Sequence, residues 1–203
     1  AKHGEAGIEV SELLPHTASI VAEIMVIRSM QTFNSSHGQA LAAINTGRPL
    51  AGRPALGSWL TYGLGSESQD LPAFVVLTDP DSLPLDRTRN WSNGWLPSLY
   101  QGTVVRPREP RILNLDAPAA FAGEPQAATL AYLNEFNREH LAAHPGEHDL
   151  AARIAGYELA ARMQVAAKEA LDVSGESAAV HRLYGLDRDE TREFGTRCLI
   201  ARR

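Results

Sequence analysis

Two short runs of apolar residues limit the folds open to this chain more than any other feature. The first is Ile24-Met25-Val26-Ile27, and the second is Pro72-Ala73-Phe74-Val75-Val76-Leu77-Thr78. Unbroken apolar runs of this length are typical of strands that are buried on both faces. Because helical segments separate the runs, the chain is predicted to be α/β. Residues 24–30 and 72–78 would be neighbouring parallel strands, with helices on the faces of their sheet.

Local signals place helices and loops around these strands. Helices are predicted at 10–23, 39–45, 56–62, 126–143 and 149–171, and from Arg188 onward. Thr46-Gly47 ends the second helix in the manner of a glycine C-cap, and Pro145-Gly146 separates the fourth helix from the fifth. Residues 79–111 contain many prolines and show no clear periodicity of apolar residues, which predicts a long loop or lid excursion. Residues 112–115 are predicted to form a short strand.

Composition limits the class of protein. The 203 residues correspond to about one domain, and 44% hydrophobic with 21% charged residues is ordinary globular usage. A formal charge of −5 argues against nucleic acid as a partner. No apolar run reaches the roughly 18 residues of a membrane span. Nothing in the composition indicates the oligomeric state.

The two ends of the sequence indicate a longer protein. The chain begins Ala-Lys-His, without Met and without a signal peptide, and it stops at Ala201-Arg202-Arg203 inside a predicted helix. Residues 1–203 are therefore expected to be an internal fragment of a single domain that lacks its N- and C-terminal segments.

The loop after the first predicted strand carries the strongest candidate site. Ligands of open α/β sheets collect beyond the carboxyl ends of the strands, and the free N–H groups of a helix start favour phosphate, sulfate or carboxylate. Asn34, Ser35, Ser36 and His37 offer amide, hydroxyl and imidazole groups suited to a nucleophile, a ligand or an anion holder. The alternative is structural, with Ser35 or Ser36 capping the helix and Asn34 shaping the turn.

Histidine and tryptophan groups elsewhere have a functional and a structural interpretation. His140, His144 and His148 would align as metal ligands on one helix, but Pro145-Gly146 favours a solvated helix end. Trp91 and Trp95 suit either a stacking platform for a sugar or anchors that pin a long loop.

Two aspartates and two arginines also have both a functional and a structural interpretation. Asp79 and Asp81 flank Pro80 just past a predicted strand, where ligands occur, although Asp-Pro-Asp also forms turns. Arg48 and Arg53 could hold an anion near the candidate loop or form surface salt bridges.

Motifs spread over nearly the whole chain carry a family resemblance. They are Ile27-Arg28-Ser29-Met30, Gly52-Arg53-Pro54, Leu56-Gly57, Tyr62-Gly63-Leu64-Gly65, Pro72-Ala73-Phe74-Val75-Val76, Leu96-Pro97, Tyr100-Gln101-Gly102-Thr103 and Tyr184-Gly185-Leu186. In these motifs the chain resembles the bacterial DUF1501 family, which is placed in the alkaline phosphatase and sulfatase superfamily. The resemblance implies a three-layer α/β/α domain of alkaline phosphatase type with a mostly parallel sheet.

The resemblance also implies site residues. Counting back from Thr46 by the sulfatase spacing reaches His37, with Ser36 beside it, at the place of the superfamily's nucleophile. His37 matches the family's usual Asn-His-Asp-Pro, whereas Ser36 and Gly38 replace the Asn and the Asp. No Cys stands here, which excludes a sulfatase formylglycine mechanism. The resulting candidates are His37 and Ser36 as catalytic residues and Asn34, Ser35, Asn45 and Arg48 as anion- or substrate-binding residues.

A sulfatase- or phosphatase-like hydrolase is the function that the resemblance implies. Its substrate would be a small-molecule or polysaccharide ester of sulfate or phosphate, and its location exported or periplasmic. A divalent metal is expected in the full-length protein, but none for this chain alone, because the segments that supply the superfamily's ligands lie outside it. The alternative is a non-catalytic binding or cell-surface structural protein on the same fold.

Overall fold

The computed structural model describes residues 1–79 and 81–203, with every side chain of those residues except that of Pro125. The chain divides into two compact units, Ala1–Phe33 and Asn34–Arg203. In the described part of the chain, no helix is long and apolar enough to cross a membrane.

The first unit is built from very short elements. Strand β1 (Lys2–His3) pairs antiparallel with β2 (Ile8–Glu9), and helix α1 (Pro15–Ser19) precedes a 3-10 turn at Val21–Glu23. The helix predicted at 10–23 is therefore much shorter than expected. Pro15 fixes its first turn, because proline suits that position and cannot donate a hydrogen bond farther along a helix.

The strand predicted at 24–30 is wrong. This segment is irregular backbone, and its apolar side chains are exposed, Met25 by 85%. A strand that is buried on both faces needs a paired neighbour on each side. The described residues of this unit provide only the two-residue β1–β2 hairpin. The apolar run therefore stays in solvent.

Helices dominate the second unit. They are α2 (His37–Thr46), α3 (Leu56–Leu64), α4 (Glu124–Ala143), α5 (His148–Leu171), α6 (Ala178–Leu183) and α7 (Asp189–Arg202). The helices predicted at 39–45, 56–62, 126–143, 149–171 and from Arg188 are confirmed. Gly47 ends α2 as expected: its φ is 77°, and its N–H donates to the Ala43 carbonyl at 2.8 Å. His144–Glu147 separates α4 from α5, which confirms the predicted break.

The second predicted strand is present but does not have the predicted partner. Strand β3 (Val75–Leu77) pairs in parallel with β4 (Thr103–Val105), in the register Val75–Thr103, Val76–Val104 and Leu77–Val105. The partner lies inside the segment predicted as an excursion at 79–111, of which Pro80 lies outside the described residues. This segment also contains 3-10 turns at Arg87–Trp91 and Ser98–Tyr100. Its residues between β3 and β4 therefore form a crossover connection.

The main core lies where β4 meets the C-terminal helices. Val105, Val173, Leu199 and Ile200 are buried against one another, and six partly buried residues surround them: Leu77, Ile112, Leu171, Val180, Tyr184 and Leu186. Full burial of such side chains stabilises a protein by about 1.5–3 kcal/mol each. The β3–β4 pair is thus held by α7 and not by a larger sheet.

The predicted three-layer α/β/α fold with a mostly parallel sheet is wrong. About 50% of the chain is helical and 5% is in strands, and the described strands form two sheets of two strands each. The strand predicted at 112–115 is also absent, because Asn114 has a left-handed φ of 57°, which a strand cannot contain. Five of the predicted helices are present, whereas the helix predicted at 10–23 is reduced to α1 and α6 is not predicted. The apolar runs do not assemble into a central sheet.

Candidate functional site

The start of helix α2 is shaped by Asn34. The Asn34 Oδ1 accepts a hydrogen bond from the Ser36 N–H at 2.9 Å, and its Nδ2 donates to Gln39 Oε1. Ser36 occupies the N-cap position, but its hydroxyl makes no capping bond. The prediction that Asn34 shapes this turn is confirmed. The backbone N–H groups of the first turn are accordingly not capped by the Ser36 side chain.

Ser35, Ser36 and His37 lie side by side at this helix start, and all three are exposed. In the described part of the chain, neither hydroxyl has a hydrogen-bond partner, and the imidazole has none either. A serine nucleophile activated by histidine requires a hydrogen bond between them. The structure therefore brings these residues together in space without forming such a pair.

Asn45 and Arg48 lie at the opposite end of α2. At 1.5 Å per residue, Asn45 is about 12 Å along the helix from His37. Its Nδ2 donates to the Leu41 carbonyl at 2.9 Å and to Asn90 Oδ1 at 3.3 Å. Asn45 therefore connects the end of α2 to the 3-10 turn that contains Asn90. Arg48 follows the C-terminal Gly47 and is exposed. The structure does not bring these two residues to the same small anion as Ser36 and His37.

A pocket of about 180 Å³ runs along the face of α2 that carries Gly38 and Thr46. The turns on either side complete it, and its lining is Gly38, Gln39, Ala42, Thr46, Pro49, Leu50, Ala51, Gly52, Arg53, Asp86, Arg89 and Asn90. This cavity is called the α2 pocket, and its charged lining residues are Arg53, Arg89 and Asp86. Its charged residues therefore carry a net positive charge beside the N-terminal turn of a helix, where a partial positive charge also develops.

Gly38 allows the carboxylate to come close to α2. A Cβ added at Gly38 would lie 2.9 Å from Asp86 Oδ2, closer than real Cβ contacts. Asp86 also pairs with Arg89, at 3.7 Å between Oδ1 and NH1. Glycine at this position thus admits a carboxylate from another part of the chain.

Buried Asn90 fixes the turn that carries Asp86 and Arg89. Its Nδ2 donates to the Leu85 carbonyl at 2.6 Å and to the Arg87 carbonyl at 3.1 Å. Sequence reasoning missed Asn90 and Arg89, because they lie in a stretch without a recognisable pattern.

Arg53 is positioned by a close approach between two turns. A Cβ added at Gly94 would overlap the backbone of Arg53 and Pro54 and lie 2.7 Å from the Gly52 carbonyl oxygen. The Ala55 N–H donates to the Ser92 carbonyl at 2.8 Å, which ties the same two segments together. The Arg53 guanidinium consequently lies over the Trp95 ring, 5.5 Å from its centroid. The Gly52-Arg53-Pro54 motif was the sequence signal for this residue.

The histidines and aspartates that the sequence suggests as possible ligands take part in helix ends, a turn and an ion pair. His140 lies in α4, and His148 begins α5, so the three histidines do not share one helix. Asp79 Oδ1 accepts from the Asp81 N–H at 3.1 Å, as in an Asp-initiated turn. Asp81 also pairs with Arg108 at 3.1 Å. Pro80, between the two aspartates, lies outside the described residues.

No fitting metal site occurs in the described part of the chain, where no three His, Cys, Asp or Glu side chains gather into a possible ligand set. The metal that the resemblance implies therefore has no identified ligands among the described residues, and no chemical step is assigned to it.

The two candidate tryptophans have different environments. Trp91 is 6% exposed and anchors the connection between β3 and β4, whereas Trp95 is 59% exposed. The anchoring interpretation thus describes Trp91, and Trp95 remains available to a ligand.

Comparison with known proteins places the chain in a family. The model of the family described as protein of unknown function (DUF1501) matches residues 1–203. The chain belongs to the DUF1501 family. Searches of curated proteins and of solved structures find no match.

Proposed function

We propose that this chain is part of a protein that binds and hydrolyses sulfate or phosphate esters, and that the α2 pocket holds the anionic group of the ester. The observation that carries the proposal is that two arginines, Arg53 and Arg89, line one small pocket beside the first turn of α2.

The chemistry of the pocket suits a tetrahedral oxyanion. Guanidinium groups donate paired hydrogen bonds to sulfate and phosphate oxygens, and the start of a helix adds N–H donors and a favourable dipole. Arg53 has no ion-pair partner in the described part of the chain, so its charge is available to a ligand. Asp86 pairs with Arg89 and offsets one of the two positive charges, which leaves one positive charge in excess among the lining residues.

Hydrolysis rests on the resemblance to sulfatases and alkaline phosphatases and on the candidate residues His37 and Ser36. A non-catalytic binding protein is the second candidate function. It is favoured by one specific observation: the His37 imidazole and the Ser36 hydroxyl have no hydrogen bond between them in the described structure. Both functions use the same pocket.

Anion binding is tested by calorimetric titration of the chain with inorganic sulfate and phosphate. Arg53→Gln and Arg89→Gln should each weaken binding by about tenfold, because a hydrogen bond to a charged group contributes about 1.5 kcal/mol or more. Arg182→Gln, which removes an exposed arginine outside the pocket, is the matched control. Equal affinities for all four proteins, or no binding of either anion, would rule out the pocket.

Catalysis is tested in the full-length protein with 4-nitrophenyl sulfate and 4-nitrophenyl phosphate, supplied with divalent metal. His37→Ala should lower turnover by about a hundredfold or more, the scale of losing a positioned acid–base group. The melting temperature should hardly change, because the His37 side chain is exposed and unpartnered. Unchanged turnover, or no turnover in the parent protein, would favour the binding protein.

A further inference from the structure

Four aromatic rings form a continuous strip on the surface of the second unit. Trp59 lies 6.2 Å from Tyr62 and 6.3 Å from Trp95, measured between ring centroids, and Tyr62 lies 5.3 Å from Tyr100. Neighbouring rings meet edge to face, with interplanar angles of 74–86°. Trp59, Tyr62, Trp95 and Tyr100 are called the aromatic strip below.

The strip does not serve as core. Trp59, Tyr62 and Trp95 are 43%, 54% and 59% exposed. Aromatic side chains usually stabilise a protein by removing their large area from water, which the strip does only in part. Anchoring of this region is provided instead by buried Trp91, whose carbonyl accepts from Gln101 Nε2 at 2.9 Å.

Two rigidly held elements present the rings. Trp59 and Tyr62 are three residues apart on α3, which places them on the same helical face. Trp95 and Tyr100 come from the connection between β3 and β4, where the Gln101 Oε1 accepts from the Asn93 N–H at 3.1 Å. The strip is therefore a fixed surface of the second unit.

The polar atoms of the rings are also free. In the described part of the chain, the indole N–H groups of Trp59 and Trp95 and the hydroxyls of Tyr62 and Tyr100 have no hydrogen-bond partner. The strip thus offers flat apolar faces and hydrogen-bonding edges to the same ligand. Sugar rings have the complementary chemistry, since their C–H faces pack on aromatic rings while their hydroxyl groups donate and accept hydrogen bonds.

Arg53 joins the strip to the α2 pocket. Its guanidinium lies 5.5 Å from the centroid of the Trp95 ring, and Arg53 is also one of the residues that line the pocket. A ligand on the strip therefore reaches the anion-binding pocket through one shared residue.

We propose that the aromatic strip binds the sugar rings of a carbohydrate whose sulfate or phosphate ester enters the α2 pocket. This inference rests on the proposed function for the identity of the anionic group, but the binding of sugar rings by the strip is separable from it. Single-stranded nucleic acid also stacks on aromatic rings. The formal charge of −5 disfavours it as the occupant.

The test uses an array of neutral and sulfated glycans, followed by titration of the best-bound sulfated glycan and its desulfated form while tryptophan fluorescence is recorded. Trp59→Ala should weaken binding of both forms by about tenfold, because the ligand loses the packing surface of one large aromatic ring. Tyr62→Ala is a second variant on the same face of α3. Arg89→Gln should weaken binding of the sulfated form only. Tyr132→Ala, which removes an exposed ring of α4 outside the strip, is the matched control.

The outcomes separate the two proposals. Binding of no glycan, or equal loss in Trp59→Ala, Tyr62→Ala and Tyr132→Ala, would overturn the strip even if inorganic sulfate binds to the pocket. Trp59-dependent binding of oligothymidylate in preference to every glycan would overturn it in favour of nucleic acid. Trp59-dependent binding that Arg89→Gln leaves unchanged for both forms would support the strip and contradict the pocket.

Discussion

Replacement of Gly94 by alanine tests the close approach that positions Arg53. Gly94 has a φ of 55°, and a methyl group there would overlap backbone atoms of Arg53 and Pro54, which cannot rotate away as a side chain can. The left-handed backbone costs alanine about 1–2 kcal/mol, and an added methyl group in a packed region costs about 1–3 kcal/mol. The free energy of unfolding should therefore fall by roughly 2–5 kcal/mol, a large part of the usual 5–15 kcal/mol.

Two other glycines separate these contributions. Gly47 has a φ of 77° with no atom within 4 Å of an added Cβ, so Gly47→Ala measures the backbone cost alone. Gly63 is helical, has no positive φ and also has open space around it. Gly63→Ala should raise stability by about 0.5–1 kcal/mol, since alanine favours a helix over glycine.

Urea unfolding followed by circular dichroism measures all three variants, and calorimetry with inorganic sulfate measures the consequence for the pocket. Gly94→Ala should show the largest loss of stability and should also weaken sulfate binding, because Arg53 moves with its turn. A loss no larger than that of Gly47→Ala would refute the close packing of Gly94 against Arg53 and Pro54.

Three further perturbations follow from the described contacts. Leu199→Ala should lower the free energy of unfolding by about 3–5 kcal/mol in a urea melt, because Leu199 is fully buried in the core. Asn34→Ala should lower it by about 1 kcal/mol through loss of the hydrogen bond from the Ser36 N–H, whereas Ser36→Ala should leave it nearly unchanged. Hydrogen bonds from Ser174 lower the pKa of Asp172. These bonds therefore stabilise the folded protein fully at a pH above the ordinary aspartate pKa, and this stabilisation is lost as the pH falls through the lowered pKa of Asp172. Ser174→Ala should raise the pKa of Asp172 in an NMR titration; an unchanged pKa would contradict this cause.

Helices α2, α3, α4, α5 and α7 could be predicted because their signals are local, whereas the helix predicted at 10–23 was too long and α6 was not predicted. Gly47 ends α2 through its own left-handed backbone, and Pro145-Gly146 separates α4 from α5 by the same short-range chemistry. These effects act within a few residues and are therefore visible in the sequence.

The strands depend on partners that the sequence does not identify. β3 was located correctly, but its partner β4 is three residues long and lies inside a segment that was predicted to be a loop. The apolar run at 24–27 has the composition of a buried strand, yet it is exposed, because burial requires neighbouring elements as well as apolar side chains.

The candidate site was predictable to a similar extent. Asn34 and the start of α2 follow from nearby residues, whereas Asn45 and Arg48 were grouped with them although a helix length separates the two ends. The α2 pocket is completed by residues of distant turns, Asp86 and Arg89 among them. Such contacts depend on tertiary packing, so no local sequence pattern predicts them.

The pairing of β3 with β4 closes residues 78–102 into a loop whose two ends are fixed, and this bears on how members of the family can diverge. Lengthening a closed loop is inexpensive, at about 0.6 kcal/mol for each doubling of its length. Insertions at the exposed positions 81–83 therefore disturb little, while changes at buried Asn90 and Trp91 disturb the anchored part. Relatives can accordingly differ in the exposed residues or in the length of this loop while the strand pair stays constant.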